Sequence, residues 1–103
     1  MTIKVLNKKW KIIVRSDKYH GKLFGACHGI AVSEDRKIHI RRSSLDDVTL
    51  IHEIVHAYQF ELSYFELELD DEQTSEWFAE LWAKHGRQIL SDADRALIKF
   101  KYS

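Results

Sequence analysis

The sequence predicts a single α+β domain, in which a small sheet of three or four strands packs on two helices. Two observations lead to this prediction. Apolar residues alternate or cluster in short β-branched runs over residues 1–42, and they recur at helical spacing from residue 45 onward. The chain has 103 residues, which is enough for one hydrophobic core and too few for two domains. We therefore expect residues 1–103 to form one unit.

Three segments of the N-terminal part favour β-strands. Residues 10–15 are rich in β-branched side chains and end at a Ser-Asp pair, which is typical of a strand followed by a turn. Residues 22–32 form an apolar run interrupted by glycines, which indicates a bulge or two short strands. Residues 37–41 alternate between polar and apolar side chains, as a half-buried strand does. The sequence therefore predicts strands in residues 1–42.

A helix is predicted over residues 44–61, because the spacing of apolar residues changes at Ser43–Ser44. Ser44 and Asp47 resemble the two polar positions of a capping box, with Asp in place of the usual Glu. This helix is expected to lay its apolar face on the sheet. The apolar stripe consists of Leu45, Val48, Ile51, Val55 and Tyr58.

A second helix is predicted over residues 71–90, with Asp70 or Asp71 as its N-cap. Gly86 indicates either a weak point inside this helix or an early end. Residues 91–103 are expected to form a tail or an extra strand, because their last apolar residues alternate. The apolar stripe of the second helix consists of Trp77, Phe78, Leu81, Trp82 and His85.

The composition excludes several classes of protein. Hydrophobic residues make up 45% of the chain and aromatic residues 12%, which argues against disorder. No apolar run approaches the length of about 18 residues that a membrane span needs, and the first residues lack the apolar core of a secretory signal. The single cysteine, Cys27, excludes an intrachain disulfide framework. We expect a cytoplasmic protein with no membrane partner.

The formal net charge is zero, but the charges are segregated along the chain. Residues 1–42 contain 11 Lys and Arg against 3 Asp and Glu, whereas residues 43–80 contain 11 Asp and Glu and no Lys or Arg. One interpretation is a basic sheet packed against helices with solvated acidic faces. The other is that the acidic stretch collects carboxylates for a cation. The zero balance gives no overall indication of nucleic-acid binding.

Residues 52–56 have the sequence H-E-x-x-H and lie inside the first predicted helix. Four helical residues turn through about 400°, so His52 and His56 stand one turn apart on one face. Two imidazoles placed in this way can bind one Zn²⁺ at about 2.0–2.1 Å. Glu53 is placed beside them to act as general base toward a water molecule on that metal. The competing interpretation is an amphipathic helix with two exposed histidines.

A catalytic zinc site needs a third protein ligand and one open position. Glu72, Glu76 and Glu80 form a row one turn apart on the second predicted helix, which begins soon after the motif. One carboxylate of this row can bind zinc while the next accepts a hydrogen bond from a ligating histidine. We favour Glu72 over Glu76 as the ligand and place Glu80 last. His28 and His85 are alternative ligands, and a solvated acidic face is the interpretation without a metal.

Two segments carry a resemblance to a known family. Residues 50–57 (LIHEIVHA) and 71–79 (DEQTSEWFA) resemble the small zincin-like metallopeptidases of phages and bacteria, including SprT-like and other minimal zincins. These proteins are similar to gluzincins, which use the two histidines of H-E-x-x-H and a Glu from a following helix. The resemblance covers residues 20–90 and is most specific in these two segments.

The resemblance implies a zinc-dependent metallopeptidase with Zn²⁺ as its cofactor and a protein or peptide as its substrate. By this match His52, His56 and Glu72 hold the metal, and Glu76 supports a ligating histidine. Glu53 is then the catalytic residue, which activates the water that attacks a peptide bond. The chain is short for a protease and lacks the remote substrate-binding lobe of larger gluzincins.

The resemblance also implies a mixed sheet whose edge strand lies beside the active-site helix and holds an extended substrate. We expect residues 37–41 to be this edge strand, with the substrate added as a further strand along Ile38, His39 and Ile40. By alternation, Ile38 and Ile40 should face the core, whereas His39 should face solvent or the substrate groove.

Two other functions are compatible with the sequence. A zincin scaffold without catalysis is expected to bind a host or partner protein through its strand edge. The basic N-terminal half, in which Trp10, Tyr19 and Phe24 alternate with lysines, is compatible with nucleic-acid binding. A nucleophilic role for Cys27 beside His28 is disfavoured, because adjacent residues of a strand point to opposite faces. Candidates for stabilising an oxyanion are Tyr58, Tyr64, His28, His85 and Arg41.

Overall fold

A four-stranded mixed sheet and three helices make up the structure, a computed structural model that describes residues 1–102. The strands are β1 (Thr2–Val5), β2 (Lys8–Arg15), β3 (Gly29–Val32) and β4 (Lys37–Arg41). The helices are α1 (Asp17–Phe24), α2 (Asp47–Glu61) and α3 (Asp71–Phe100), with short 3₁₀ turns at Arg42–Ser44 and Tyr64–Glu66. The α+β class and the strand number are confirmed, and one helix more than predicted is present.

The order of strands across the sheet is β1-β2-β4-β3. β1 and β2 are antiparallel and are joined by Leu6 and Asn7, which both have positive φ (51° and 68°), as the tight two-residue hairpin turn requires. β2 pairs in parallel with β4, and β4 pairs antiparallel with β3. A parallel pair needs a crossover connection, which α1 and β3 supply here.

β4 is an interior strand, so the edge position expected for residues 37–41 is wrong. Its backbone is paired on both sides, with β2 and with β3. Ile38 and Ile40 are fully buried, as predicted. A substrate cannot add as a strand along Ile38, His39 and Ile40, because neighbouring strands already occupy both sides. The edge strands are β1 and β3, and β3 is the one that packs closely on α2.

Helix α1 lies in a part of the chain where the sequence predicts strands, and that prediction is wrong there. The Ser16 side chain caps the helix by accepting a hydrogen bond from the Tyr19 N–H. The helix ends at Gly25, whose φ of 66° favours glycine. The Ser-Asp pair that ends β2 therefore also starts a helix, and the apolar run of residues 22–32 is divided between α1 and β3.

The solvent-facing position expected for His39 is also wrong. His39 points to the opposite sheet face from Ile38 and Ile40, but α1 covers that face and leaves His39 only 6% exposed. Its ring lies 5.0 Å from the ring of Phe24, which also contacts His20 at 5.2 Å. His20 is fully buried, and within residues 1–102 its ring nitrogens form no well-aligned hydrogen bond, although the Cys27 backbone lies near enough to act on the ring.

Acid should weaken the contact between α1 and the sheet. Burial and then the charge of Arg41 lower the pKa of His20, and burial and then Arg15 lower the pKa of His39. Such a histidine takes up its proton more readily in the unfolded chain, so stability is lost as pH falls below about 6.5. We expect the melting temperature to fall between about pH 7.5 and about pH 5.5, and to fall less in His20→Leu. The melting temperatures are measured by circular dichroism. If acid lowered the melting temperature of His20→Leu as much as that of the wild type, His20 would not be the residue responsible.

α2 begins three residues later than predicted. Asp46, and not Ser44, is the N-cap, and its side chain accepts a hydrogen bond from the Thr49 N–H at 2.7 Å. Ser44 belongs instead to the preceding 3₁₀ turn. Asp and Ser are both good caps, so composition alone does not choose between two neighbouring starts.

α3 is 30 residues long and ends at Phe100, so the extra strand expected within residues 91–103 is wrong. Its N-cap is Asp70, which is one of the two residues predicted for this position. Asp70 forms a capping box with Gln73. Gly86 does not end the helix. A Cβ at this position would lie 2.9 Å from Cε3 of Trp82, so the glycine allows the Trp82 ring to lie across the helix.

The main core lies between one face of the sheet and the pair α2 and α3, which contact each other extensively. Within residues 1–102, no helix combines the length and apolarity needed to cross a membrane. The fully or nearly fully buried apolar side chains include Ile3, Trp10, Ile12, Ile38, Ile40, Leu50, Ile54, Tyr58, Leu81 and Ile89.

Candidate metal centre

His52 and His56 lie on adjacent turns of α2, and their rings converge. The two Nε2 atoms are 3.0 Å apart, and the ring planes meet at 88°. Two nitrogens that bind one zinc ion at about 2.0–2.1 Å in tetrahedral geometry lie about 3.3–3.4 Å apart, so this pair needs to open by a few tenths of an ångström to share one ion. The structure therefore brings the two histidines of the motif together on one side of α2, close to the separation that a shared zinc ion requires.

Gln59 orients His56, and it is a residue that sequence reasoning missed. His56 Nδ1 donates a hydrogen bond to Gln59 Oε1 at 2.5 Å, and Gln59 is only 5% exposed. A proton held on Nδ1 leaves Nε2 with the free electron pair that a metal requires. The signal in the sequence is an amide three residues after His56, on the same face of the helix.

Glu53 is buried between α2 and β3, and it is 5% exposed. Burial raises the pKa of its carboxyl above the usual range, although the His56 and His52 rings and the Ala31 backbone oppose this shift. A carboxyl with a raised pKa takes up a proton more readily near neutral pH, which suits a general base that later returns the proton. The predicted catalytic residue is thus a buried carboxyl close to both histidines of the motif.

A cleft of about 350 Å³ opens between α2 and the start of β3. His52 and Glu53 line it from the helix, and Cys27, His28 and Gly29 line it from the strand side. His28 is held in place at Nδ1, which lies 2.7 Å from the Ser44 Oγ. A small molecule in this cleft can therefore approach His52, Glu53 and His28 at once.

Gly29 fixes the distance between β3 and the buried carboxyl. A Cβ at this position would lie 2.9 Å from Glu53 Cγ and 3.2 Å from the backbone oxygen of His39. We expect Gly29→Ala to destabilise the protein by about 1–3 kcal/mol and to displace Glu53. The reason is that the backbone oxygen of His39 cannot move away from the new methyl group without distorting the sheet.

The matched control is Gly21→Ala in α1, where the nearest atom to the new Cβ is Arg41 Nη2 at 3.9 Å. This variant has room for its methyl group and should gain about 0.5–1 kcal/mol, because alanine favours the helix. Urea denaturation of both variants measures the two effects. Equal stability of Gly29→Ala and the wild type would show that β3 does not approach Glu53 this closely.

An apolar groove of about 480 Å³ lies on the α3 side of the histidine pair. Ile51 and Val55 form its wall on α2, and Phe78 and Trp82 form its wall on α3. Trp82 belongs to the apolar stripe predicted for the second helix, but it is 39% exposed and lines this groove outside the core. His52 and His56 also line this groove, and His52 lines the cleft beside β3 as well.

The three glutamates of α3 are not brought to the histidine pair. Glu72, Glu76 and Glu80 are all exposed, and Glu80 pairs with Lys84 at 2.9 Å. By helical periodicity Glu72 lies about 120° around α3 from Phe78, which faces the groove. In the part of the chain that the structure describes, no group of three or more His, Cys, Asp or Glu side chains is arranged to hold a metal.

The remaining candidates, for a third ligand or for stabilising an oxyanion, lie in different parts of the molecule. His28 shares a cleft with His52. His85 lies against Tyr58, with ring centroids 5.1 Å apart, and Tyr58 is about 200° around the helix from His56. Arg41 donates to the backbone oxygens of residues 25 and 27. His28 is therefore the best placed of these side chains to act beside Glu53.

Comparison with known proteins adds no relative. No family model, no curated protein and no solved structure matches the chain. The functional conclusion therefore depends on the residues of this chain, above all on the pair His52 and His56 with Glu53 beside them.

Proposed function

We propose that the protein is a zinc-dependent hydrolase, and specifically a metallopeptidase that cleaves a peptide bond. The observation that carries this proposal is the convergence of His52 and His56 at 3.0 Å with the buried Glu53 on the same helix. A rigid helix that supplies two imidazoles and a carboxyl of raised pKa has the parts for metal-assisted hydrolysis.

Zn²⁺ bound at this pair would polarise the scissile carbonyl and acidify a water molecule. Glu53 would act as general base toward an attacking water molecule and would return the proton to the leaving amine. Gln59 keeps the proton of His56 on Nδ1, so that Nε2 would have a free electron pair for a metal ion. His28 lies on the strand side of the cleft, where its imidazole can donate a hydrogen bond to the carbonyl oxygen of the substrate.

Glu72 is our proposed third ligand, with Glu76 as the acidic residue that supports a histidine. This assignment needs the start of α3 to turn Glu72 toward the groove when zinc binds, since the side chain is exposed. The experiment is zinc binding by Glu72→Ala, His28→Ala and the control Glu68→Ala, whose exposed carboxyl precedes α3. Loss of affinity in Glu72→Ala alone supports Glu72. Loss of zinc affinity in His28→Ala alone would make His28 the third ligand.

The substrate strand is proposed to run along β3, because β3 is the edge strand that packs on α2. A peptide added there would pass the cleft lined by Glu53 and His52. Cleavage of a mixed peptide library, with and without a zinc chelator, tests the activity. Chelator-sensitive cleavage is expected, and cleavage that persists without metal would exclude the proposed mechanism.

A binding module without catalysis is the second candidate, and one observation favours it. Among the described residues, no third His, Cys, Asp or Glu side chain joins His52 and His56. In that case the edge of β3 would hold a partner protein. Nucleic-acid binding through interleaved aromatic residues has less support, because Trp10 is fully buried and its indole N–H donates to Glu61.

Gln59→Leu should weaken zinc binding by about 10–100-fold, because it removes the group that orients His56. Gln59→Glu keeps an acceptor oxygen and should bind zinc close to the wild-type level. Zinc affinity is measured by competition with a chromophoric chelator. Equal affinity of Gln59→Leu and Gln59→Glu would show that the hydrogen bond does not orient the ligand.

A further inference from the structure

The apolar groove on the α3 side of the histidine pair leaves large apolar side chains open to solvent. Val48 is 72% exposed and Trp82 is 39% exposed, and both line this groove. Contiguous exposed apolar surface of this kind commonly marks a place where another molecule binds. The volume of the groove, about 480 Å³, is within the usual range of ligand-binding pockets.

The walls of the groove are in place before any ligand binds. They belong to α2 and α3, two helices that pack on each other. The turn before α3 closes one end, because it contacts both walls. The Phe65 ring lies 6.4 Å from the His56 ring on α2, and the Tyr64 ring lies 5.7 Å from the Phe78 ring on α3. A ligand that fits a preformed groove loses less free energy to ordering of the protein.

The surroundings of the groove are acidic. Every residue that lines it lies within residues 48–82, and residues 43–80 contain 11 Asp and Glu and no Lys or Arg. Asp71 is exposed and lies about 20° around α3 from Phe78, two turns before it, which places it at the closed end of the groove. Among the residues that the structure describes, no Lys or Arg forms an ion pair with Asp71. The groove therefore favours a positively charged ligand over a negatively charged one.

The groove adjoins the cleft beside β3. His52 lines both, and by helical periodicity it lies between them around α2. A peptide that follows β3 through the cleft and crosses His52 therefore enters the groove. The ligand that this arrangement favours is a segment of peptide.

We propose that the groove binds a peptide segment in which lysine or arginine flanks a large apolar side chain. The apolar side chain lies between Val55 on α2 and Trp82 on α3, and a basic side chain lies near Asp71. The binding step needs no metal. Only the identification of this segment as part of the substrate rests on the proposed function, and it makes basic peptides with a large apolar residue the substrate class.

Isothermal titration calorimetry of the metal-free protein with three blocked pentapeptides tests the proposal. Acetyl-Gly-Lys-Phe-Lys-Gly-amide is expected to bind. Replacement of its Phe by Ala should weaken binding about tenfold or more, because most of the apolar contact is lost. Replacement of both its Lys by Glu should also weaken binding about tenfold or more, because the acidic surroundings then repel the peptide.

Trp82→Ala should weaken binding of the Lys-Phe-Lys peptide about tenfold, because it removes one wall of the groove. Leu90→Ala is the matched control, since Leu90 is an exposed apolar residue of α3 that does not line the groove, and it should leave the affinity unchanged. Asp71→Asn should weaken binding about two- to fivefold. Asp94→Asn should have no effect, because this exposed carboxyl lies about 160° around α3 from Phe78. Circular dichroism checks the folding of each variant.

Four results would overturn the proposal: no binding of the Lys-Phe-Lys peptide, equal binding of its Ala version, equal binding of its Glu version, or unchanged binding by Trp82→Ala. A wild type that is dimeric in sedimentation equilibrium, with Trp82→Ala monomeric, would also overturn it and assign the groove to a second copy of the chain. Zinc-dependent hydrolysis of other peptides without binding of this one would refute the groove and not the proposed function. Binding of this peptide by a protein that takes up no zinc would refute the proposed function and not the groove.

Discussion

Glu53→Gln is expected to lower kcat/KM for peptide hydrolysis by about 10²–10⁴-fold, which is the usual contribution of a general base. The substitution keeps the size of a side chain that is only 5% exposed, so the fold should be retained. Glutamine cannot take a proton from water, and Glu53 is not a proposed ligand. Zinc should therefore stay bound while turnover is lost.

The control for this prediction is Glu66→Gln, which makes the same change on the exposed turn before α3. Peptide cleavage and zinc content are measured on both variants and on the wild type. Hydrolysis by Glu53→Gln at the wild-type rate would remove Glu53 from the mechanism. Loss of zinc together with activity would instead make Glu53 a ligand.

His56→Ala is expected to abolish zinc binding and hydrolysis together. One of the two converging nitrogens is lost, and a single imidazole does not make a zinc site. The buried Gln59 also loses its partner, which should cost about 1–3 kcal/mol of stability. The variant therefore differs from Glu53→Gln in losing the metal as well as the activity.

His85→Ala is the matched control, because His85 lies against Tyr58 and away from the pair. Zinc content and denaturant unfolding are measured for both histidine variants. If His56→Ala kept its zinc, or if His85→Ala lost as much, the metal would be held elsewhere.

The predictable parts of the fold are those that depend on one segment at a time. The spacing of Ile38 and Ile40 placed them in the core, and Asp70 was recognisable as a helix cap, because alternation and capping are local patterns. The sequence does not predict α1, because its eight residues contain one glycine and few apolar positions. The predicted second helix ends ten residues before α3 does, because Gly86 is unfavourable in a helix unless a neighbour such as Trp82 occupies the space.

The candidate site divides in the same way. His52, Glu53 and His56 belong to one helix, so their common placement followed from helical geometry. The strand order could not be predicted from the sequence. Alternation shows which face of residues 37–41 is buried, but it does not show which strands lie on either side of them. The approach of Gly29 to Glu53 is a contact between distant segments, and the position of Glu72 depends on how α3 packs on α2. Neither leaves a periodic signal.

Zinc titration of metal-free wild-type protein tests the central claim most directly. The chain is loaded in the presence of a chromophoric chelator, and the bound metal is counted against protein concentration. One zinc per chain is expected for the wild type and none for the double variant His52→Ala and His56→Ala. No zinc bound by the wild type, or the same amount bound by the double variant, would contradict a metal centre on α2.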